Sequence, residues 1–382
     1  MTRYAVVGAG IIGSSIAWRL AARGGEVTLI DGRQPGTLAS GRSFAWVGAG
    51  HPGLHLTPEY FAMNAAGVAA YRELELELGV RPWYVRNGCL IWYTSASDQQ
   101  EQARFVASLQ TSPYPSELLS RSEVLQRFDD PLRIDPGVDS VAWFPDDAHV
   151  YGRPMAEDMT ALAGGAGAEL ILGDAVVRIL THAGEATGVV LASGREVMAD
   201  VIVISNGADC NAVLSTGGDF EIPMVDPRVP ESDAVGLIVE TSPLTVPLER
   251  VVLANDMMMR PGRAGGLLLH DYVQDKLVTV DTPAEPVPQP AQSALDGARP
   301  YLDGIDDVVV ATVQIGVRPL AIDHLPVIGW VPGVPGVYVA MTHSGVTLGP
   351  LISRIVAQEV VDDVRDPLVR YFGPERFETR SA

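Results

Sequence analysis

The stretch "YAVVGAGIIG", residues 4–13, decides which fold this chain is expected to adopt. Its first part, Tyr4 to Val7, is apolar and predicts a short buried strand. Gly8, Gly10 and Gly13 follow in the spacing G-x-G-x-x-G, and apolar residues then recur at helical intervals from Ser14 to Arg23. A strand, a glycine turn and a helix in this order predict the start of a parallel βαβ unit.

The residues after this helix indicate that the glycine turn binds a dinucleotide. A second apolar strand, Glu26 to Ile30, ends at Asp31, about 20 residues beyond the turn, where a ribose-binding carboxylate belongs. Gly8 permits the tight turn, Gly10 lets the backbone approach a pyrophosphate, and Gly13 lets the helix pack closely. The helix N-terminus offers free N–H groups to the phosphates. The alternative is a glycine-rich turn that binds nothing. The predicted contacts are Gly8, Gly10, Ile11, Ile12, Gly13, Asp31, Gly32 and Arg33.

The charge of the chain limits what it is expected to bind. The 382 residues carry a net charge of −20, and Lys276 is the only lysine, so that arginine supplies nearly all the positive charge. This balance disfavours binding to nucleic acid or to an anionic membrane surface. An anionic substrate would therefore need a local arginine to overcome the overall field.

Cysteine content and hydropathy indicate a cytoplasmic protein. Cys89 and Cys210 are the only cysteines, with neither metal-ligand spacing nor a disulfide framework. The apolar start, residues 4–16, is broken by three glycines and lacks a strong basic region, and no later stretch is long enough to span a membrane. We expect a cytoplasmic protein of two domains, without a membrane partner, for which a homo-oligomer is an open alternative.

The rest of the chain bears on which dinucleotide is bound. A free-standing NAD domain would continue with further βαβ units, whereas residues 36–50 form a loop of small and hydroxyl residues before a helical segment, Pro58 to Leu78. Much later, a β-ribbon pattern over residues 186–201 leads into the buried strand Val201 to Ile204. This order departs from that of a nicotinamide-binding domain.

Four motifs give the chain a resemblance to a known family. They are the glycine fingerprint with Asp31, the loop Ser40-Gly41-Arg42-Ser43, the strand end Asn206-Gly207-Ala208, and a C-terminal block with Gly316-Val317-Arg318-Pro319, Asp323-x-x-Pro326-x-Ile328-Gly329 and Thr342-His343-Ser344-Gly345-Val346-Thr347. With these motifs the chain resembles, over nearly its whole length, the FAD-dependent amine and amino-acid oxidoreductases of the D-amino-acid oxidase superfamily, in the branch of glycine oxidase, sarcosine oxidase and D-amino-acid dehydrogenase. The resemblance implies an α/β fold with two parts. One is a glutathione-reductase-like FAD-binding Rossmann domain, residues 1–79, 141–217 and 314–382; the other is a mainly antiparallel β-sheet substrate domain, residues 80–140 and 218–313.

The resemblance also implies where FAD lies. The loop residues Ser40, Arg42 and Ser43 are expected near the pyrophosphate or the flavin. Val176 and Val177 are expected near the adenine, with plain strand core as the alternative. The C-terminal strand, loop and helix are expected to cradle the pyrimidine end of the flavin, with a helix N-terminus near positions 349–350 whose dipole stabilises negative charge on the ring. The further contacts implied are Asn206, Gly207, Arg318, His343, Ser344, Gly345, Val346 and Thr347.

Three side chains are candidates for the chemistry. Arg318 matches the family's carboxylate-binding arginine, and a guanidinium offers two parallel donors to a carboxylate. The alternative for Arg318 is a structural ion pair, with Asp323 as the partner. Arg260 is a second candidate for the carboxylate. His149 is expected where the chain crosses between domains, so that it faces either the site or the surface.

The function implied by the resemblance is FAD-dependent oxidation of a small amine or amino acid to an imine, by hydride transfer to flavin N5. Oxygen or another acceptor would reoxidise the flavin, and the FAD is expected to be non-covalent because Val47, in place of a histidine, follows Trp46. The alternatives are oxidation of a 2-hydroxy acid on the same fold and a non-catalytic FAD-binding subunit. No metal is predicted, because Pro52 and a glycine interrupt the pair His51 and His55.

Overall fold

The computed structural model of the chain describes residues 1–51 and 57–378. His55, the histidine considered as a metal ligand, lies outside these residues. The described α-helices are α1 (Ile11–Ala22), α2 (Pro58–Leu78), α3 (Ala96–Ser108), α4 (Arg121–Arg127), α5 (Gly152–Gly165), α6 (Cys210–Leu214), α7 (Tyr272–Asp275), α8 (Gln289–Ala298) and α9 (Gly345–Asp362). The described strands are β1 (Arg3–Val7), β2 (Glu26–Asp31), β3 (Trp46–Val47), β4 (Tyr84–Val85), β5 (Cys89–Trp92), β6 (Glu117–Ser120), β7 (Ser140–Phe144), β8 (Ala148–Val150), β9 (Glu169–Leu172), β10 (Val176–His182), β11 (Glu185–Leu191), β12 (Glu196–Met198), β13 (Val201–Ile204), β14 (Val235–Thr241), β15 (Val251–Ala254), β16 (Met257–Pro261), β17 (Leu267–Asp271), β18 (Val310–Val317), β19 (Val327–Trp330) and β20 (Val337–Met341).

A six-stranded sheet in the order β19-β20-β13-β1-β2-β9 forms the first layer. β1 runs parallel to both β13 and β2, with Val7 opposite Ile204 and Ile30, and β20 and β9 extend the parallel pairing on either side. The inner strands are continuous apolar runs because helices cover the sheet, and α1 contacts both α5 and α9. The carboxyl ends of β1, β13 and β20 therefore meet at one edge, which is where open α/β sheets bind their ligands.

A second, eight-stranded sheet has the order β18-β14-β17-β16-β15-β5-β7-β6. Its pairing is antiparallel apart from the parallel pair of β5 and β15, counted over the strands described here. One face has an apolar core of its own, which includes Leu90, Leu237 and Leu269. The predicted α/β class with a second, mainly antiparallel sheet is confirmed.

The strands of the large sheet extend past the domain limits predicted from the sequence. β7 pairs with β5 and β6, and β18 pairs with β14. Residues 141–144 and 314–317, which the prediction gave to the FAD-binding domain, therefore share their hydrogen-bond ladders with the large sheet. The division into two domains stays a prediction, and we propose limits that follow the strand pairing at these two places.

Two small sheets complete the fold. β10, β11 and β12 form the predicted β-ribbon. β3 and β4 both pair with β8, so that Trp46 lies opposite His149 and Val85 lies beside it. This second small sheet fixes the end of the loop at residues 36–45, which carries several of the predicted cofactor contacts.

Candidate cofactor and substrate site

The three fingerprint glycines meet different constraints. Gly8 has a φ of +104°, and a Cβ there would lie 2.7 Å from the Asn206 Cα atom. A Cβ on Gly13 would lie 1.9 Å from the Gly8 carbonyl oxygen. A Cβ on Gly10 would meet just one atom of the described residues within 4 Å, Ser40 Oγ at 3.1 Å. The fold itself therefore needs Gly8 and Gly13, whereas Gly10 keeps space open at the turn.

Side chains already organise the backbone amides around this turn. Ser40 Oγ accepts a hydrogen bond from the Ile11 N–H at 3.1 Å, at the start of α1. Asp31 accepts the N–H of Ala9 at 2.7 Å through Oδ2 and that of Arg33 at 2.8 Å through Oδ1. Each carboxylate oxygen keeps a lone pair for a further donor, such as a ribose hydroxyl. The arrangement fits the pyrophosphate and ribose of a dinucleotide.

The predicted adenine end contains one buried and one exposed valine. β10 begins beside the end of β2: Gly32 follows β2, Ala175 precedes β10, and a Cβ on Gly32 would lie 2.8 Å from Ala175 Cβ. Val176 belongs to the apolar core under the six-stranded sheet, whereas Val177 is 48% exposed. Val176 is thus a core residue of its strand, which was the alternative to adenine binding. Contact of either valine with adenine stays a prediction.

The C-terminal helix begins earlier than predicted. α9 starts at Gly345 with Ser344 at its N-cap, and Pro350 lies inside the helix, so the predicted start near positions 349–350 is wrong. The Ser344 side chain makes no capping hydrogen bond, and the amides of residues 345–347 have no carbonyl acceptor within the helix. These are the amides that the family resemblance places against the flavin. The helix N-terminus thus coincides with the predicted cradle, where its dipole favours negative charge.

Pro350 is tolerated inside α9 because a tyrosine replaces the hydrogen bond that proline cannot make. A proline has no N–H to donate to the carbonyl four residues earlier, which here belongs to Val346. Tyr71 Oη donates to this carbonyl at 2.6 Å. Helix-start rules applied to the sequence do not find the partner, because Tyr71 lies in α2, 275 residues away along the chain.

Removing this tyrosine hydroxyl tests the assignment. Tyr71→Phe should lower the free energy of unfolding by about 1–3 kcal/mol, since it leaves a partly buried carbonyl without a donor. In a Pro350→Ala background the residue-350 amide can donate to Val346, so the same substitution should be clearly less destabilising. Urea unfolding of the four proteins measures the difference as a double-mutant cycle. Equal losses in the two backgrounds would contradict the assignment.

An open pocket lies between this helix start and the large sheet. Its walls come from the loop at residues 42–46, from Met258 and His270 in the sheet, and from residues 316–319. Asn64 of α2 also lines the pocket, and its Oδ1 is buried without a hydrogen-bond partner among the described residues. Free helix amides and an unsatisfied buried acceptor at one pocket fit a bound group that has its own donors and acceptors, such as a flavin ring.

His343 and Ser344 are tied to α2 at the edge of this pocket. Tyr60 Oη lies 2.5 Å from Ser344 Oγ and 3.3 Å from His343 Nε2. Burial, with a smaller contribution from the charge of Arg318, lowers the pKa of His343 to about 4. The ring is therefore neutral at neutral pH and lines the pocket as a hydrogen-bonding group and not as a cation.

Arg318 lines the pocket, but most of its donors are occupied by the protein. Its Nη2 donates to Asp275 Oδ2 at 2.6 Å and lies 2.9 Å from His270 Nε2. Its Nη1 donates to the carbonyl oxygens of Asp233 and Val235. The fork predicted for a substrate carboxylate is thus not free in this structure, because bidentate binding needs two unoccupied parallel N–H groups.

The ion pair of Arg318 also differs from the alternative predicted one. Asp323 pairs with Arg376 at 2.7 Å, whereas Arg318 pairs with Asp275, whose side chain is 3% exposed. Desolvation by itself would raise the pKa of Asp275, but the charges and hydrogen bonds of His270 and Arg318 outweigh it and lower the pKa to about 2. Sequence reasoning missed this partner because α7 reaches Arg318 only through the pairing of the strands around it.

Arg260 and His149 lie behind the pocket wall and do not line it. Arg260 is buried, its Nε donates to the Phe44 carbonyl at 2.5 Å, and burial lowers its pKa to about 10. His149 is fully buried, with no hydrogen-bond partner at either ring nitrogen among the described residues. Burial, followed by the charge of Arg260, lowers its pKa to about 3. The structure therefore places neither residue beside Arg318 in the lining of this pocket, and a role of either one in the chemistry stays a prediction.

A buried acid that the sequence analysis did not single out fixes one wall of the pocket. Asp147 accepts hydrogen bonds from Trp46 Nε1 at 2.9 Å and from Tyr114 Oη. A Cβ on Gly48 would lie 2.2 Å from the Trp46 ring, so the glycine leaves room for the indole. Burial raises the pKa of Asp147 to about 8. In the sequence, Asp146 and Asp147 lie between two apolar strands. This pattern alone does not predict that Trp46 and Tyr114 bind Asp147.

The fold and the site together define a class of protein: a dinucleotide-binding α/β protein with a second β-sheet that forms one wall of an open pocket. The chain belongs to the FAD dependent oxidoreductase family (DAO), whose sequence profile matches residues 3–359. Its cofactor is FAD, and the open space at Gly10 and the free amides at residues 345–347 fit this group.

Known relatives cover nearly the whole chain. An uncharacterized oxidoreductase of Bacillus subtilis (strain 168), YurR, is 28% identical over 379 residues, which span 94% of this chain and 95% of that protein. The structure of glycine oxidase from Bacillus cereus ATCC 14579 superposes with a TM-score of 0.80 at 19% identity and covers 97% of both chains. L-proline dehydrogenase from P. horikoshii has a TM-score of 0.83 at 19% identity and covers 99% of this chain and 98% of its own. These two structures show the fold.

Within residues 1–51 and 57–378, no helix has the length and apolar character required to cross a membrane. Within the same residues, no three His, Cys, Asp or Glu side chains come together in a way that could hold a metal ion.

Proposed function

We propose that this protein oxidises a small amine that carries a carboxylate, an amino acid, with FAD as the hydride acceptor. The observation that carries the proposal is the charge of the pocket. Two arginines line it in a chain whose net charge is −20: Arg318, which pairs with Asp275, and Arg42, which forms no ion pair with the described residues. A local cation of this kind is what an anionic substrate requires in an acidic protein.

The pocket residues divide into groups that bind, shield and stabilise. Ile238 and Met258 present apolar side chains from the large sheet and help exclude water. The amides of residues 345–347, at the start of α9, favour a group that gains negative charge. FAD, when bound, supplies the acceptor for the hydride that leaves the carbon next to nitrogen. Positioning of the amine by these walls supplies much of the rate, because a neutral amine needs little acid–base help.

The relatives support an amino-acid substrate. The two superposed structures are named as a glycine oxidase and an L-proline dehydrogenase, and both names refer to amino acids.

The electron acceptor is a separate question. Lys276 is the only lysine of the chain, it pairs with Asp233 and it does not line the pocket. No lysine therefore lines the pocket to favour oxygen as the acceptor. We propose oxygen or another oxidant, and the test below distinguishes the two.

An anaerobic substrate screen tests the proposed function. The purified yellow protein is mixed without oxygen with amino acids, the amines obtained by removing their carboxylates, and 2-hydroxy acids, and the flavin absorbance is followed. We expect an amino acid to bleach the flavin, and admission of air then shows whether oxygen restores the colour. Bleaching by 2-hydroxy acids alone would select the alternative dehydrogenation. Bound FAD that no substrate bleaches would select a non-catalytic subunit.

A further inference from the structure

A pair of glycines in the large sheet brings two arginines together at the pocket. Gly236 in β14 lies directly opposite Gly316 in β18. A Cβ on Gly236 would lie 2.9 Å from Arg318 Nη2, and a Cβ on Gly316 would lie 2.2 Å from the Arg42 carbonyl oxygen and 3.6 Å from Arg42 Cβ. Directly opposed residues of antiparallel strands point to the same face. The Arg318 guanidinium and the base of the Arg42 side chain therefore lie side by side on one face of the sheet.

The two arginines differ in what their guanidinium groups contact. Arg318 is neutralised by the buried carboxylate of Asp275 and donates to two backbone carbonyls as well. Arg42 lines the same pocket and is exposed. Within the part of the chain that the structure describes, the Arg42 side chain forms neither an ion pair nor a hydrogen bond. The uncompensated charge at the pocket is thus that of Arg42.

We infer that Arg42 is the residue that binds the carboxylate of the substrate, and that Arg318 is held by Asp275 as part of the pocket floor. The inference rests on the proposed amino-acid oxidation and assigns its specificity to a residue of the loop at positions 36–45. A free guanidinium offers two parallel donors that match a carboxylate, whereas Arg318 would first have to leave Asp275. Leaving would deprive a carboxylate that is 3% exposed of its arginine partner, which is unfavourable even though His270 still contacts it.

Electrostatics favour the same assignment. An incoming carboxylate is repelled by the field of a chain with a net charge of −20, so its binding depends on the nearest cation that no protein anion neutralises. Gly316 strengthens the effect, because the absence of a side chain there lets the loop backbone at Arg42 lie directly on β18. The loop therefore places Arg42 against β18, the strand directly before Arg318 in the chain.

Paired substrates separate the role of Arg42 from other roles. The wild type, Arg42→Ala and Arg42→Lys are compared for kcat/KM on an amino acid and on the amine that lacks its carboxylate, for example proline and pyrrolidine or N-methylglycine and dimethylamine. Arg178→Ala is the matched control, because it removes the same charge from an exposed position of β10. We expect Arg42→Ala to lower kcat/KM for the acid on the order of 10²-fold and to leave the amine within about threefold. Arg42→Lys should restore part of the loss, since it keeps the charge without the fork.

The dissociation constant for FAD is measured on the same four proteins, and it should not change in Arg42→Ala. Equal losses on acid and amine, or a weakened hold on FAD, would assign Arg42 to the cofactor and overturn the inference while leaving amine oxidation intact. A wild type that oxidises the amine as well as the acid would also overturn it. A wild type whose flavin is bleached by neither compound class would instead refute the proposed function.

Discussion

Gly10→Val should give a folded protein that purifies without FAD. The valine side chain would occupy the space at the glycine turn through which the backbone approaches the pyrophosphate. The fold should survive, because a Cβ at position 10 meets only Ser40 Oγ among the described atoms within 4 Å, at 3.1 Å, and a serine hydroxyl can rotate away. The measurements are the FAD-to-protein ratio, the affinity of the apoprotein for added FAD, and the thermal unfolding curve.

Two further glycines serve as controls for this result. Gly165→Val changes a position at the end of α5 where a Cβ meets nothing within 4 Å, and it should retain full FAD content. Gly13→Val places a side chain where even a Cβ would lie 1.9 Å from the Gly8 carbonyl oxygen, and it should fail to fold. A yellow Gly10→Val protein with normal FAD content would show that the fingerprint glycine has no part in binding the cofactor.

The sequence predicts the N-terminal half of the site well because its signals are local. β1, the glycine turn, α1 and β2 follow one another within residues 3–31, and strand and helix periodicities change at the turn. Asp31 stands next to the glycines in space because neighbouring parallel strands end at the same edge. Spacing along the chain is therefore enough to place these residues together.

The rest of the site depends on contacts that spacing does not encode. The start of α9 was predicted wrongly because proline usually marks a helix start, and the compensating hydroxyl of Tyr71 comes from α2. Arg318 lines the pocket, and its role there stays a prediction; its partner Asp275 is supplied by the packing of α7 against β14. The proximity of Arg42 to Arg318 follows from a pair of glycines whose register only the paired strands reveal.

Arg318→Ala should destabilise the protein by up to about 3–5 kcal/mol at neutral pH, because it removes the arginine partner of the buried Asp275 carboxylate and leaves it with His270 and the Leu237 N–H. The effect should depend on pH in a defined direction. His270 and Arg318 together outweigh burial and lower the folded-state pKa of Asp275 to about 2, so their interactions with its carboxylate contribute stability above the pKa of the unfolded chain, near 4, and this stability is lost as the pH falls towards 2. The deficit of the variant should therefore shrink on acidification. Denaturant unfolding of both proteins from pH 7 to pH 3 measures it.

A second substitution separates loss of charge pairing from loss of packing. Asp275→Asn removes the charge but keeps an oxygen for the Leu237 N–H, which donates to Asp275 Oδ1 at 2.7 Å. Adding Arg318→Ala to Asp275→Asn should therefore cost much less stability than adding it to the wild type, whereas a packing role would give the same loss in both.

The kinetics of Arg318→Ala provide a second measurement. If Arg318 only positions the pocket, the substitution should lower kcat/KM for an amino acid and for its decarboxylated amine by the same factor. A loss confined to the amino acid would mean that Arg318 leaves Asp275 to bind the substrate carboxylate, because a guanidinium that stays paired with Asp275 should not distinguish the two substrates.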